Sequence, residues 1–225
     1  MRKKILIKFG GSIMTPDLPD PIYIKKFCKF VTKFSKDYRF ILVVGGGGIN
    51  SRYNAIAKKI AKVNDVGLDW IGIYASRLNA RLLVGVLGEK CHSQIVTNPT
   101  ADLNWQTDIL VGAGWKPGWS TNYVALVLAD KLKVTKIITA TNTDYIFNKD
   151  PNKHSDAKAL ERISWQELRE MIGDEWKPRM HAPLDPSAIR YAQKKKMTVI
   201  NLNGKNLTNL KKAIKGEDFK GTTVS

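Results

Sequence analysis

Cysteine is scarce in this chain: Cys28 and Cys91 are the two in 225 residues. Two thiols 63 positions apart build neither a disulfide framework nor a metal clip, which predicts a reducing, cytoplasmic compartment. Long apolar runs are missing as well. None approaches the roughly 18 residues of a membrane span. After Met1-Arg2-Lys3-Lys4 the chain alternates and soon reaches Lys8 and Gly10-Gly11, where a signal peptide would need an unbroken apolar stretch. Histidine occurs as His92, His154 and His181, without ligand spacing, so no metal-binding set is expected. Two nucleotide-binding fingerprints are also absent. There is no G-x-x-x-x-G-K-[S/T], and no G-x-G-x-x-G opening the first helix.

Acidic residues are few. Asp and Glu number 20 against 37 Lys and Arg, for a net charge of +17, and residues 1–62 hold 14 Lys or Arg against Asp17, Asp20 and Asp37. Such a surplus suits a nucleic-acid surface or a field that attracts small polyphosphates. The lysines recur at helical spacing opposite apolar residues, which favours solvated helix faces and makes a nucleic-acid partner the weakest of these readings.

The remaining pattern is that of an α/β protein. Lys4–Phe9, Phe40–Val44, Lys136–Ala140 and Thr198–Leu202 read as strands. Helices are predicted behind Asp20-Pro21, over Asn50–Lys62, Asp69–Leu87 and Asn122–Leu132, after the Ser164/Glu167 capping box, behind Asp185-Pro186, and from Asn206 to Ile214. Strands alternating with helices imply a mostly parallel sheet covered on both sides, and the length suits a single domain.

Three glycine-rich turns stand where strands end: Gly10-Gly11-Ser12, Gly45-Gly46-Gly47-Gly48, and Gly112-Ala113-Gly114 running on to Pro117-Gly118. Glycine lets a backbone approach an anion closely and point its amides at it, and ligands of open α/β sheets bind beyond the carboxyl ends of strands. Lys8 sits just before the first turn, where its ammonium can reach the same anion.

These residues carry a resemblance to a known family. Lys8-Phe9-Gly10-Gly11-Ser12 resembles the first motif of the amino-acid-kinase superfamily, and the chain as a whole is similar to its UMP kinase (uridylate kinase) branch of archaeal type. Gly46-Gly47-Gly48 followed by Arg52 resembles G-G-G-x-x-x-R, and Asp69-Trp70-Ile71-Gly72 resembles D-x-x-G at a helix start. Pro117 to Asn122 matches a loop that usually ends T-T-D. Thr141-Asn142-Thr143-Asp144 through Asp150-Pro151 resembles T-N-V-D-G-V-Y-x-x-D-P. Leu184-Asp185-Pro186 matches the late aspartate motif and Gly221-Thr222-Thr223-Val224 the closing strand.

The resemblance implies a three-layer αβα amino-acid-kinase fold, with an acceptor-side lobe over roughly 1–110 and an ATP-side lobe over roughly 111–225. It implies ATP-dependent phosphorylation of UMP to UDP, Mg²⁺ arriving with ATP, and a homo-oligomer, a hexamer built as a trimer of dimers. Lys8 and Asp185 take the catalytic positions. ATP falls to Lys8, Phe9, Gly10, Gly11, Ser12, Gly46, Gly47, Arg52, Thr141, Asn142, Phe147 and Asp150. UMP falls to Gly45, Gly46, Asp69, Trp115, Lys116, Pro117, Gly118, Trp119, Ser120, Thr121 and Asn122. Read as residues alone, Asp185 and Asp69 suit helix caps equally well, and Arg52 an exposed helix face. Departures from the pattern are Asn122 for aspartate, Tyr145 for glycine, and the bulk of Trp115 and Trp119. In Trp176–His181, Lys177 or Arg179 suits a second cation. A sister kinase with another small phosphorylated acceptor, and a non-catalytic nucleotide-binding or metal-oxyanion storage homologue, remain alternatives.

Overall fold

The computed structural model of the chain describes residues 2–151, 153–175 and 184–225. Its first half runs β1 (Lys3–Phe9), a short α1 (Gly11–Met14), α2 (Pro21–Phe34), β2 (Tyr38–Val44), α3 (Gly47–Ile60), α4 (Asp65–Leu87) and β3 (Ile109–Gly112). The second half continues with α5 (Thr121–Lys131), β4 (Lys136–Thr141), a hairpin of β5 (Ile146–Phe147) and β6 (Ala159–Leu160), then β7 (Arg162–Ile163) and α6 (Trp165–Ile172). It closes with α7 (Pro186–Lys194), β8 (Val199–Asn203), α8 (Leu207–Lys215) and β9 (Thr222–Val224).

Among the described residues, seven strands form one sheet in the order β3-β2-β1-β4-β8-β9-β7. Strands β3, β2, β1, β4 and β8 are parallel, and β9 pairs antiparallel to β8. Alternation along the strands sorts the core into two layers. Ile5, Ile7 and Phe9 face α2, α4 and α8, while Leu6 and Ile137 face α5, α6 and α7. Each fully buried Leu, Ile or Phe contributes about 1.5–3 kcal/mol relative to exposure, which is why these apolar runs define the sheet. Lys8 interrupts the second layer: its register partners Val43 and Thr139 place it on the α5–α7 face, at the carboxyl end of β1.

The strand order reverses between β1 and β4, so a crevice opens there beyond the carboxyl ends of the strands. The glycine turns after β1, β2 and β3 all lie at this end. Gly47 adopts φ +59°, and a Cβ on it would meet Thr15 Oγ1 at 1.9 Å. A Cβ on Gly11 would meet Gly47 N at 2.2 Å, so the first two turns touch backbone to backbone and leave no room for side chains.

Helix boundaries differ from the sequence expectation at three informative places. α3 starts at Gly47, three residues early, because the glycine turn itself is the first helical turn. α4 starts at Asp65 with Asn64 as its cap, accepting from Gly67 N; Asp69 therefore lies in the second turn and is no cap. α5 is capped by Ser120, which accepts from Tyr123 N, and Asn122 sits inside the helix. Among the described residues no helix is long and apolar enough to cross a membrane.

Candidate active site

A cavity of about 650 Å³ opens at the crevice, between α3 and α4 on one side and the start of α5 on the other. Gly46, Asn50, Asp69, Gly72, Ser120 and Thr121 are among its lining. The amino-terminal ends of α3 and α5 both reach this wall, at Gly46 and at Ser120-Thr121. Unpaired amides and the positive ends of two helix dipoles therefore converge on one space, an arrangement that favours an anion.

The turns that form this wall are held from behind by α4. Asn79, fully buried, donates through Nδ2 to Gly45 O (2.9 Å) and Gly46 O (3.2 Å). With those carbonyls turned toward Asn79, trans peptide geometry points the amides of Gly46 and Gly47 the other way. Ser76 Oγ accepts from Gly114 N at 2.9 Å and donates to Ile73 O at 2.6 Å. Arg77 donates to Gly114 O (3.1 Å) and Trp115 O (2.9 Å), clasping the loop after β3. None of Ser76, Arg77 and Asn79 stood out in the sequence. The available signal was two polar residues, Ser76 and Asn79, on the buried face of a helix that otherwise buries Ile73, Ala80, Leu83 and Val84.

The acceptor-side expectations separate into two groups. Gly46, Asp69, Trp119, Ser120 and Thr121 line the cavity. Asp69 Oδ2 accepts from Gly118 N at 2.8 Å, so the carboxylate fixes the loop and keeps its second oxygen. Gly45, Trp115, Lys116, Pro117, Gly118 and Asn122 are not part of its lining. Trp115 packs edge-on against Trp119 (4.5 Å, 81°), Trp119 on Tyr123 (4.3 Å), and Tyr123 edge-on against Tyr191 (5.3 Å). Lys116 Nζ lies 4.3 Å from the Trp115 ring centre. This aromatic ladder ties the loop to α5 and α7, which is where the bulk of the two tryptophans goes. Asn122 is half-buried, and its Oδ1 is a buried acceptor without a partner among the described residues.

Behind the cavity wall lie Lys8 and Asp185, near enough for the Asp185 charge to act on the lysine but not ion-paired among the described residues. Both are 9% exposed. Burial pulls the Lys8 ammonium down to about 8 from 10.5, and the Asp185 charge resists that fall. Asp185 does cap α7, accepting from Ala188 N at 3.1 Å through Oδ1, and its Oδ2 accepts a hydrogen bond from Ser120 Oγ. The capping reading and the Lys8 reading thus hold together in one carboxylate.

On the other side of the sheet end, Gly10 N is spent on Ala140 O (2.8 Å), and Gly11 opens α1. Phe9 is buried in the core and offers backbone alone. Ser12 falls in α1, and its side chain lies outside the described set. Gly48 N donates to Thr15 O at 2.8 Å and is not available to a ligand. Thr141 ends β4 and Asn142 follows it, while Phe147 lies in the β5–β6 hairpin and Asp150 just beyond, its carbonyl accepting from His154 N. These four do not line the cavity. Arg52 points away from the cavity: it is exposed and ion-paired with Asp17, a partner the sequence did not suggest. Lys177, Arg179 and the rest of Trp176–His181 lie outside the described residues.

Comparison with known proteins places this geometry. A sequence model described as "Amino acid kinase family" matches residues 3–203. The uridylate kinase of Thermococcus sibiricus is 33% identical over 224 residues, 98% of this chain and 99% of that protein. That of Methanobrevibacter smithii is 30% identical over 224 residues, covering 98% of each. Among solved structures, uridylate kinase from Archaeoglobus fulgidus superposes with TM-score 0.82 at 26% identity, over 99% of this chain and all of the other. UMP kinase from Ureaplasma parvum shares the fold, with TM-score 0.80 at 18% identity over 100% of this chain and 99% of that one. The matched residues include every glycine turn that forms the crevice, and the chain belongs to the amino acid kinase family.

Proposed function

We propose that the chain is a uridylate kinase, a nucleoside monophosphate kinase that transfers the γ-phosphoryl group of ATP to UMP in pyrimidine nucleotide synthesis. The observation that carries this reading is the convergence of two helix starts, at Gly46 and at Ser120-Thr121, on a cavity of nucleotide size faced by Asp69. Full-length identity to uridylate kinases supports it.

Phosphoryl transfer needs two anionic reactants aligned and the moving charge stabilised. The acceptor phosphate takes the helix starts at Gly45-Gly46 and Ser120-Thr121, and Asp69 takes the ribose hydroxyls with its remaining oxygen. ATP lies beyond β4, its phosphates on Lys8, Gly11, Ser12 and Gly47, with Gly10 shaping the turn while its amide stays on Ala140 O, and its base side on Thr141, Asn142, Phe147 and Asp150. Arg52 serves a phosphate after leaving Asp17. Lys8 stabilises the transferring group from the carboxyl end of β1, and Asp185 orients that ammonium. Among the described residues no three His, Cys, Asp or Glu side chains converge. The donors present are amides, hydroxyls and a lysine, which fit phosphate oxygens. Mg²⁺ would enter on the nucleotide and neutralise its phosphates, with no protein ligand assigned.

The chain divides near residue 110 into an acceptor-side and an ATP-side lobe, each lending residues across the crevice: Ser120-Thr121 to the acceptor, Lys8 and Gly47 to ATP. Two unpaired buried thiols, Cys28 and Cys91, support a cytoplasmic setting. Val66, Trp70, Tyr74, Leu78, Leu82 and Val86 recur every fourth residue along α4 and are all exposed, an apolar stripe that supports a homo-oligomer, the hexamer of paired subunits. Light scattering of the protein and of Leu78→Glu, expected to be smaller, tests the assembly.

ADP release measured over a panel of nucleoside monophosphates with Mg·ATP tests the activity. UMP should be the preferred acceptor. Trp119 in the cavity wall favours one second reading, a related phosphorylated acceptor, and turnover of another member of the panel with none on UMP would establish it.

A further inference from the structure

Among the described residues, Ser120 is the one hydrogen-bonding link between the cavity wall and the buried Asp185 behind it. Its Oγ accepts from Tyr123 N at 3.0 Å and donates to Asp185 Oδ2. The same residue lines the cavity. A serine hydroxyl has a single proton to give. An acceptor phosphate seated at the start of α5 therefore competes with Asp185 for that proton. Asp185 Oδ1 is meanwhile anchored on Ala188 N, so a carboxylate that loses Ser120 stays at its post with Oδ2 unpaired. The cation that can replace it is the Lys8 ammonium, which is buried, feels the Asp185 charge, and makes no ion pair or hydrogen bond of its own among the described residues.

We propose that Ser120 is a positioning residue that couples arrival of the acceptor phosphate to formation of a close Lys8–Asp185 ion pair. With the cavity empty, Ser120 holds Asp185 back and Lys8 stays weakly paired. With phosphate bound, the hydroxyl turns to the phosphate, Asp185 turns to Lys8, and the ammonium becomes fully charged and fixed. The reaction gains order: Lys8 is charged when the acceptor is present. No bond other than hydrogen bonds changes, and the one proton that enters is taken up by Lys8 from solvent. Burial that pulls the Lys8 ammonium down to about 8 supports this, since a fraction of the lysine is then neutral at mildly alkaline pH. Among the described residues Asp185 is the charge that acts on it, while its strand neighbours Val43 and Thr139 carry none.

The proposal rests on the acceptor phosphate binding at Ser120-Thr121, and its test keeps the two apart. The Lys8 side chain is followed by NMR on lysine-labelled protein, across pH, for the wild type, Ser120→Ala, Ser120→Gly and Ser120→Thr. Glycine keeps most of the capping stability, costing only a few tenths of a kcal/mol. Without any ligand, Ser120→Ala and Ser120→Gly should titrate Lys8 upward of the wild type by about one unit, and Ser120→Thr should not. UMP, or inorganic phosphate as an independent probe, should move the wild-type titration upward and the alanine and glycine variants much less. The alkaline limb of the kcat profile should move in the same sense. A residue that merely capped α5 would leave the Lys8 titration unchanged in every variant, and that result overturns the proposal. Failure of UMP alone to bind would count against the proposed acceptor, while the ligand-free comparison still decides the role of Ser120.

Discussion

Replacing Lys8 by methionine should stabilise the protein while abolishing phosphoryl transfer. Lys8 is 9% exposed, on the sheet face that buries Leu6 and Ile137. Its fall from 10.5 to about 8 is dominated by burial. At about 1.36 kcal/mol per unit, that difference corresponds to about 3 kcal/mol by which the charged lysine disfavours the folded state. The sign follows from proton counting. Between about 8 and 10.5 the unfolded chain holds a proton at this site that the folded one has released. Wild-type stability therefore rises with pH across that window through this group, and the full cost is present below it. Methionine keeps the straight stem and removes the charge. Asp185 keeps its donors from Ser120 and Ala188 but loses a neighbouring cation, so about 3 kcal/mol is an upper bound. For a chain of this size the melting temperature would rise by at most roughly 6–12 °C. Urea unfolding of both proteins at pH 7 and pH 10.5 measures this, with ADP release run alongside. The variant should lead at pH 7 and its lead should shrink at the higher pH. A variant less stable than wild type at pH 7, or a lead independent of pH, would refute the account of Lys8 as a charge held against its solvation for the sake of the reaction.

Asp69→Asn should weaken UMP binding more than ATP binding in calorimetry, because it leaves one acceptor oxygen where the carboxylate serves both Gly118 N and a ligand; equal losses would count against the ribose assignment. Arg77→Met should raise KM for the acceptor several-fold with a smaller change in KM for ATP, since it frees the carbonyls of Gly114 and Trp115 that shape the cavity side of the loop. Asn122→Asp should raise kcat by about tenfold, about 1.4 kcal/mol in barrier, by restoring the family's residue type. It should also lower stability slightly, because the charge would sit on an oxygen that is already buried without a partner. Steady-state kinetics at saturating Mg·ATP and a melting curve check both, and a dead aspartate variant would show a site rebuilt around asparagine.

The sequence by itself determined the layers and the glycine turns, and its motifs singled out Lys8 and Asp185, the two positions we propose for catalysis. Unbroken apolar runs such as Phe40–Val44 have one stable destination, a strand covered on both faces, and Asp20-Pro21 and Asp185-Pro186 carry their helix starts locally in a capping oxygen and a fixed φ. Motif order then fixed the family, because spacing along a chain survives when individual residues do not. The tertiary structure decided what depends on meetings across long separations. Asn79 reaching back to Gly45, Arg77 clasping Gly114, and Arg52 pairing with Asp17 join residues 34, 37 and 35 positions apart, and no periodicity announces them. It also decided that Trp115 packs on an aromatic ladder while Trp119 faces the cavity, since two tryptophans four residues apart in a loop have no repeat to say which way each turns. The link from Ser120 to Asp185 spans 65 residues and two helix starts, and it exists because the sheet order brings α5 and α7 to the same face above Lys8.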